Sequence, residues 1–187
     1  MYLYQPCLLV MALYGWAFRE AEGNRRGRSI VLPLVVLLAS SWEVSFSAIR
    51  LYPVALLLPL SYLMSRGRSV PWAEVLASSL LGGLVCWKVA DAWPMLPGSA
   101  ALCAILLLCP VAALCRCRED RLLALTLGSL FFELFFCLRE YMLFSFCVLR
   151  LGSRDSLTLG ALAICFYFIF ELTRLLLLSK GKGAISI

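Results

Sequence analysis

Apolar residues come in long blocks along this chain, and polar residues gather in short clusters between them. Predominantly apolar segments fall at 2–18, 29–42, 51–64, 71–87, 100–114, 122–138 and 157–178. A helix that crosses about 30 Å of hydrocarbon needs about 20 such residues. The pattern predicts an all-α polytopic transmembrane helix bundle of about seven spans, or six if the first segment or the short pair at 29–64 is miscounted. No polar stretch is long enough for a soluble domain, so residues 1–187 read as a single integral membrane domain.

Two blocks are short. Residues 29–42 and 51–64 hold fourteen residues each, so 43–50 must lend length to one or both. The expectation is a tight helical hairpin with Glu43 and Arg50 near the outer surface, or a re-entrant pair that does not cross fully. Ser69 is a candidate cap for the next helix, with Pro71 in its first turn and Glu74 favoured there by the helix dipole. Residues 141–149 are too short to cross and read as an outer interfacial helix, and the tail from Ser179 as irregular. Asp155 or Ser156 is the expected cap of the last span.

Composition strengthens the membrane reading: 63% of the 187 residues are hydrophobic and only 15% charged, against about 45–50% and about 25% in globular domains. Net charge is +6, but its placement matters more than its size. Alternating loops assigned inside hold Arg19, Arg25, Arg26, Arg28, Arg66, Arg68, Arg116, Arg118, Arg121, Lys180 and Lys182. Those assigned outside hold Arg50, Lys88, Arg139, Arg150 and Arg154. The bias of eleven against five puts the N-terminus outside and the C-terminus inside. No basic groove with interleaved aromatics exists, so nucleic acid is not an expected partner.

Nine cysteines and no histidine narrow the chemistry. Most cysteines lie in or beside apolar runs, where Cys serves as a small apolar side chain. Cys115 and Cys117 form a lone C-x-C without a second ligand pair, so neither a metal site nor a cofactor is expected. There is no triad histidine, G-x-S-x-G or P-loop, and no enzymatic activity is expected.

The candidate chemistry is therefore ionic. Glu133 lies in the block at 122–138, and Glu171 and Arg174 in the block at 157–178. An ionisable group in a span costs about 2.5–3.5 kcal/mol on insertion scales, which marks it as a candidate site. Glu171 and Arg174 share a helical face and suit a local ion pair. Arg174 is also a partner for Glu133 if their helices adjoin. Ser78/Gly82 and Ser79/Gly83 form two small-x-x-x-small pairs, and Gly128 sits with Ala124 on one face of its span; such faces let helices approach closely.

Several short motifs carry a resemblance. Gly15-Trp16-Ala17-Phe18-Arg19-Glu20 ends the first block, Gly128 to Glu133 form G-x-x-x-x-E, and Arg150-Leu151-Gly152 is followed by Asp155. In these the chain resembles the YphA-like membrane proteins of endospore-forming Gram-positive bacteria, with the spacing from R-L-G to Asp155 shortened. The resemblance implies a bacterial cell-membrane location and no particular activity. The leading expectation is a non-enzymatic multi-pass protein of the cell membrane. It would act through association with another membrane protein or with its own copies. The alternative is a small proton- or cation-linked transporter or channel using Glu133.

Overall fold

Every apolar block from residue 71 onward forms a helix longer than the block itself, because flanking residues continue it. The computed structural model describes residues 44–46, 49–52, 59, 60, 63, 69–92, 99–144 and 149–183. The expected span at 2–18, the basic loop at 19–28, the block at 29–42 and Glu43 lie outside the described residues. So does most of 51–64, where Pro59, Leu60 and Leu63 are helical.

Helix α1 is Trp72–Ala92, α2 is Ser99–Leu114, α3 is Arg118–Phe144 and α4 is Arg154–Gly183. Three of them, α1, α3 and α4, are long and apolar enough to cross a membrane. At 1.5 Å per residue α1 is about 31 Å long and α3 about 40 Å. With sixteen residues α2 is shorter, about 24 Å, and carries Pro110 inside it.

The helix ends correct several expectations. The carbonyl of Pro71 accepts the amide of Val75 at 3.1 Å, so Pro71 opens α1 and Ser69 does not cap it. Glu74 does lie in the first turn. The basic loop expected at 115–121 shrinks to 115–117, because Glu119 and Asp120 begin α3 where its dipole favours them. Among the described residues of the expected interfacial helix at 141–149, Leu149 opens β3 and the first four belong to α3. Tyr141, Met142, Leu143 and Phe144 complete α3, since no Gly or Pro interrupts L-R-E-Y-M-L-F. At the far end α4 continues through the first residues of the expected tail, to Gly183.

Three short strands stand outside the all-α expectation. Strand β1 is Val44–Phe46, β2 is Ile49–Leu51 and β3 is Leu149–Leu151. The first two pair antiparallel with Phe46 opposite Ile49, so the segment expected to connect the two short blocks carries a β-hairpin, while most of the blocks themselves lie outside the described residues. Strand β3 joins β2 in parallel, placing Arg50 beside Arg150. All three read apolar-polar-apolar (V-S-F, I-R-L, L-R-L), the period of a strand.

The helices alternate in direction. Near the end of α1, Cys86 meets Cys103 near the start of α2, while Ser78 meets Cys115 beyond the end of α2. Glu133 late in α3 meets the residues that open α4, and Arg118 at its start meets Glu171 late in α4. Asp91 and Arg139 close α1 against α3 with an ion pair of 2.8 Å. Val75, Leu107, Leu125 and Ile164, one from each helix, are buried in the shared core.

The small residues of α1 are spent inside this bundle. A Cβ on Gly83 would stand 2.9 Å from the carbonyl oxygen of Gly128 and 2.9 Å from the amide nitrogen of Phe132, both backbone atoms of α3. Ser78, Ser79, Gly82, Gly83 and Gly128 are all buried. Replacing Gly83 with Ala therefore forces α1 from α3 and should destabilise the bundle by about 1–3 kcal/mol. Gly160→Ala should cost less, because its Cβ would meet only side-chain atoms of Ser129, the hydroxyl at 2.9 Å and Cβ at 3.4 Å, and no backbone. Thermal unfolding of the two variants in detergent checks the order.

Candidate functional site

Glu133 points from α3 into the turn that opens α4. Strand β3 ends at Leu151, and Gly152 then takes a φ of 82°, a left-handed conformation that suits glycine. That turn aims two successive amides at the carboxylate. Gly152 N donates to Oε2 at 2.6 Å, and Ser153 N lies 3.1 Å from Oε1 and 3.2 Å from Oε2. The Ser156 hydroxyl donates to the carbonyl of Ser153 at 3.0 Å and braces the same turn. The carbonyl of Ser153 accepts the amide of Leu157 at 3.0 Å, so Ser153 is the cap residue. Neither Asp155, which is exposed, nor Ser156 takes that place. Glu133 thus caps α4 from a neighbouring helix, its charge placed at the positive end of the dipole.

The clasp resolves the cost of burying a carboxylate at 6% exposure. Acceptors are what a carboxylate offers, and charge-assisted bonds to amides are about twice as strong as neutral ones. The pairing of Glu133 with Arg174 is not made: Arg174 is exposed on α4, and Glu133 faces the opposite end of that helix.

Glu171 belongs to a second polar cluster at the other end of α3 and α4. It accepts a hydrogen bond from the Tyr167 hydroxyl, and its other oxygen lies 3.6 Å from Nε of Arg118. The Arg118 guanidinium also sits 5.7 Å from the Phe168 ring centre, and Arg121 Nε donates to the Cys115 carbonyl at 2.8 Å. The expected local pair with Arg174 gives way to this contact between helices. Tyr167 and Arg118 have no separate sequence signal; a Tyr four residues before Glu171 on one helical face is the nearest to one.

The C-x-C pair splits by environment. Cys115 is buried, with Sγ 3.3 Å from the Ser78 hydroxyl, and burial pushes its thiol above the ordinary range while that hydroxyl offsets part of the shift. Cys117 is exposed. No group of His, Cys, Asp and Glu that could hold a metal occurs among the described residues.

In comparisons with known proteins, no family model, curated protein or solved structure matches this chain.

Two outcomes follow from this geometry. Glu133→Gln leaves one acceptor for two amides and turns an NH2 group on the other. Amide exchange at Gly152 and Ser153 should speed up about five- to hundredfold, for a loss of about 1–3 kcal/mol. Hydrogen-exchange mass spectrometry of the segment opening α4 reads it directly. In folded protein, maleimide should label Cys117 rapidly and Cys115 only after unfolding, as followed by peptide mass.

Proposed function

We propose that the chain is a non-enzymatic multi-pass protein of the cell membrane that acts by association with another membrane protein or with its own copies. The proposed topology has about seven spans, with the N-terminus outside and the C-terminus inside. The supporting observation is the use made of the buried polar groups. Glu133 is taken up by backbone amides and Glu171 by Tyr167 and Arg118, so both serve the packing of α3 on α4. What the bundle offers outward is apolar, including Leu80, Leu81 and Leu84 on α1 and Ile169 and Phe170 on α4. It also offers Tyr141 to Phe144, exposed beyond the Asp91–Arg139 pair.

Family kinship with the YphA-like proteins is part of the same proposal. Its support is spatial: two motifs that carry the resemblance meet, because Glu133 of G-x-x-x-x-E binds the amide of Gly152 in R-L-G. This gives both motifs a shared structural reason. The shortened spacing to Asp155 has no counterpart in the clasp, since Asp155 is exposed.

The transport reading remains the second one, favoured by the position of Glu133 within a helix long enough to span a membrane. It requires the carboxylate to exchange its two amides for a proton or cation during each cycle.

Gentle extraction of tagged protein from its native membrane, with copurifying proteins quantified against an unrelated seven-span control, should recover a stoichiometric partner or a homo-oligomer. Recovery of monomer alone defeats the association reading. Flux in proteoliposomes then decides the alternative: Glu133→Gln abolishes it under the transport reading with the fold intact, and an unchanged flux removes that role.

A further inference from the structure

Cys86 on α1 and Cys103 on α2 face one another where the two helices run antiparallel. The Cys86 thiol donates to the Cys103 carbonyl at 2.9 Å, and the Cys103 thiol lies 3.6 Å from the Cys86 carbonyl. Both are buried, at 0% and 3% exposure, and both are free thiols. Each sulfur thus sits against the other residue's backbone carbonyl, which brings the two backbones close at this pair. A disulfide needs side chains that converge between closely spaced backbones, and this reciprocal arrangement supplies that.

Burial as small apolar residues explains why cysteines are tolerated here, but not why two of them converge. Ser78 with Cys115 shows the other use of a thiol at this helix pair, a contact to a hydroxyl with no second sulfur. The Cys86–Cys103 pair also lies toward the end of the bundle that carries Asp91 and Arg139, only six residues before the end of α1. It therefore lies about 9 Å from the end of α1. Val85 and Leu102, next to the two cysteines in sequence, are exposed on the apolar exterior. A small lipid-soluble oxidant can reach the outside of α1 and α2 at this level.

We propose that Cys86 and Cys103 form a redox-active pair that a lipid-soluble quinone oxidises to an intramolecular disulfide linking α1 to α2. The two thiols give up two protons and two electrons, one S–S bond forms, and the quinone leaves as its hydroquinone. The thiolate of one cysteine is the nucleophile, as in any such exchange. The product fixes the α1–α2 hairpin on which Gly82 and Leu107 pack, so the redox state of the pair sets how freely α1 can move against its neighbours. This site is independent of the association reading and of the clasp at Glu133.

The test uses the full chain in its native membrane, incubated with decylubiquinone, then denatured, capped with N-ethylmaleimide and digested without reduction. The expected product is a peptide containing Cys86 joined to one containing Cys103, with two of the nine thiols lost to capping. Cys86→Ala and Cys103→Ala should each abolish it, and Cys109→Ala, at an exposed thiol of the same helix, should leave it. Dibromobimane, which fluoresces only when both its arms are alkylated, tests proximity on the unsubstituted protein, so the result does not depend on a variant folding. Linkage of either cysteine to a different partner overturns the proposal, as does full capping of both after quinone treatment. Bimane fluorescence without quinone oxidation overturns the redox role and leaves only a close pair.

Discussion

The bond from the Glu133 carboxylate to the amides of Gly152 and Ser153 is the constraint on which the second half of the chain depends. It acts across nineteen residues of sequence and joins three elements at one point. Helix α3 supplies the acid, strand β3 delivers the backbone, and α4 starts there. A helix start leaves its first amides without intrahelical acceptors, and in an apolar setting water does not supply them. The charged side chain therefore solves two problems with one contact. The carboxylate finds donors it could not find in hydrocarbon, and the turn before α4 finds an acceptor. Left-handed Gly152 is what aims its own amide and that of Ser153 the same way.

Hydroxyl groups elsewhere in the bundle follow a different rule. Ser78 donates to the carbonyl of Val75, Ser79 to Leu76, Thr126 to Leu122 and Leu123, and Ser129 to Thr126. Each bond stays within its own helix, three or four residues back. These groups are thereby satisfied without a partner helix and behave as small residues at the interfaces. Gly83 and Gly128 do the same through their missing side chains. The close approach of α1 to α3 thus comes from size, while charge ties the helices at Asp91–Arg139, at Glu133 and at Arg118–Glu171.

The helical blocks from residue 71 onward were legible because twenty or so apolar residues have few other uses, and the small faces of α1 were legible from their spacing. Helix ends were less so. Residues 118–121 and 141–144 are polar or amphipathic and looked like connections, yet nothing in them breaks a helix. The strands escaped notice for a related reason. Three residues of alternating character inside an apolar run carry too little signal, and β3 is fixed by its pairing with β2, one hundred residues earlier in register. Glu133 was legible as an anomaly in an apolar block. Its partner was not, because a backbone amide has no letter in a sequence. The eye falls on Arg174 as the visible opposite charge, whereas the folded chain uses the invisible donors of a turn.

That preference for amides over a guanidinium has an energetic reason. An arginine opposite Glu133 would bury a second charge, each costing several kcal/mol to desolvate, about as much as their attraction returns. Backbone amides must be buried wherever α4 begins, so using them adds no new polar group to the interior. Two ion pairs follow the same logic. Arg118 and Arg139 meet their carboxylates near helix ends where both members keep some exposure, and Arg174 stays exposed. At these three sites the donor matches the setting: backbone amides for buried Glu133, guanidinium groups for the partly exposed Asp91 and Glu171.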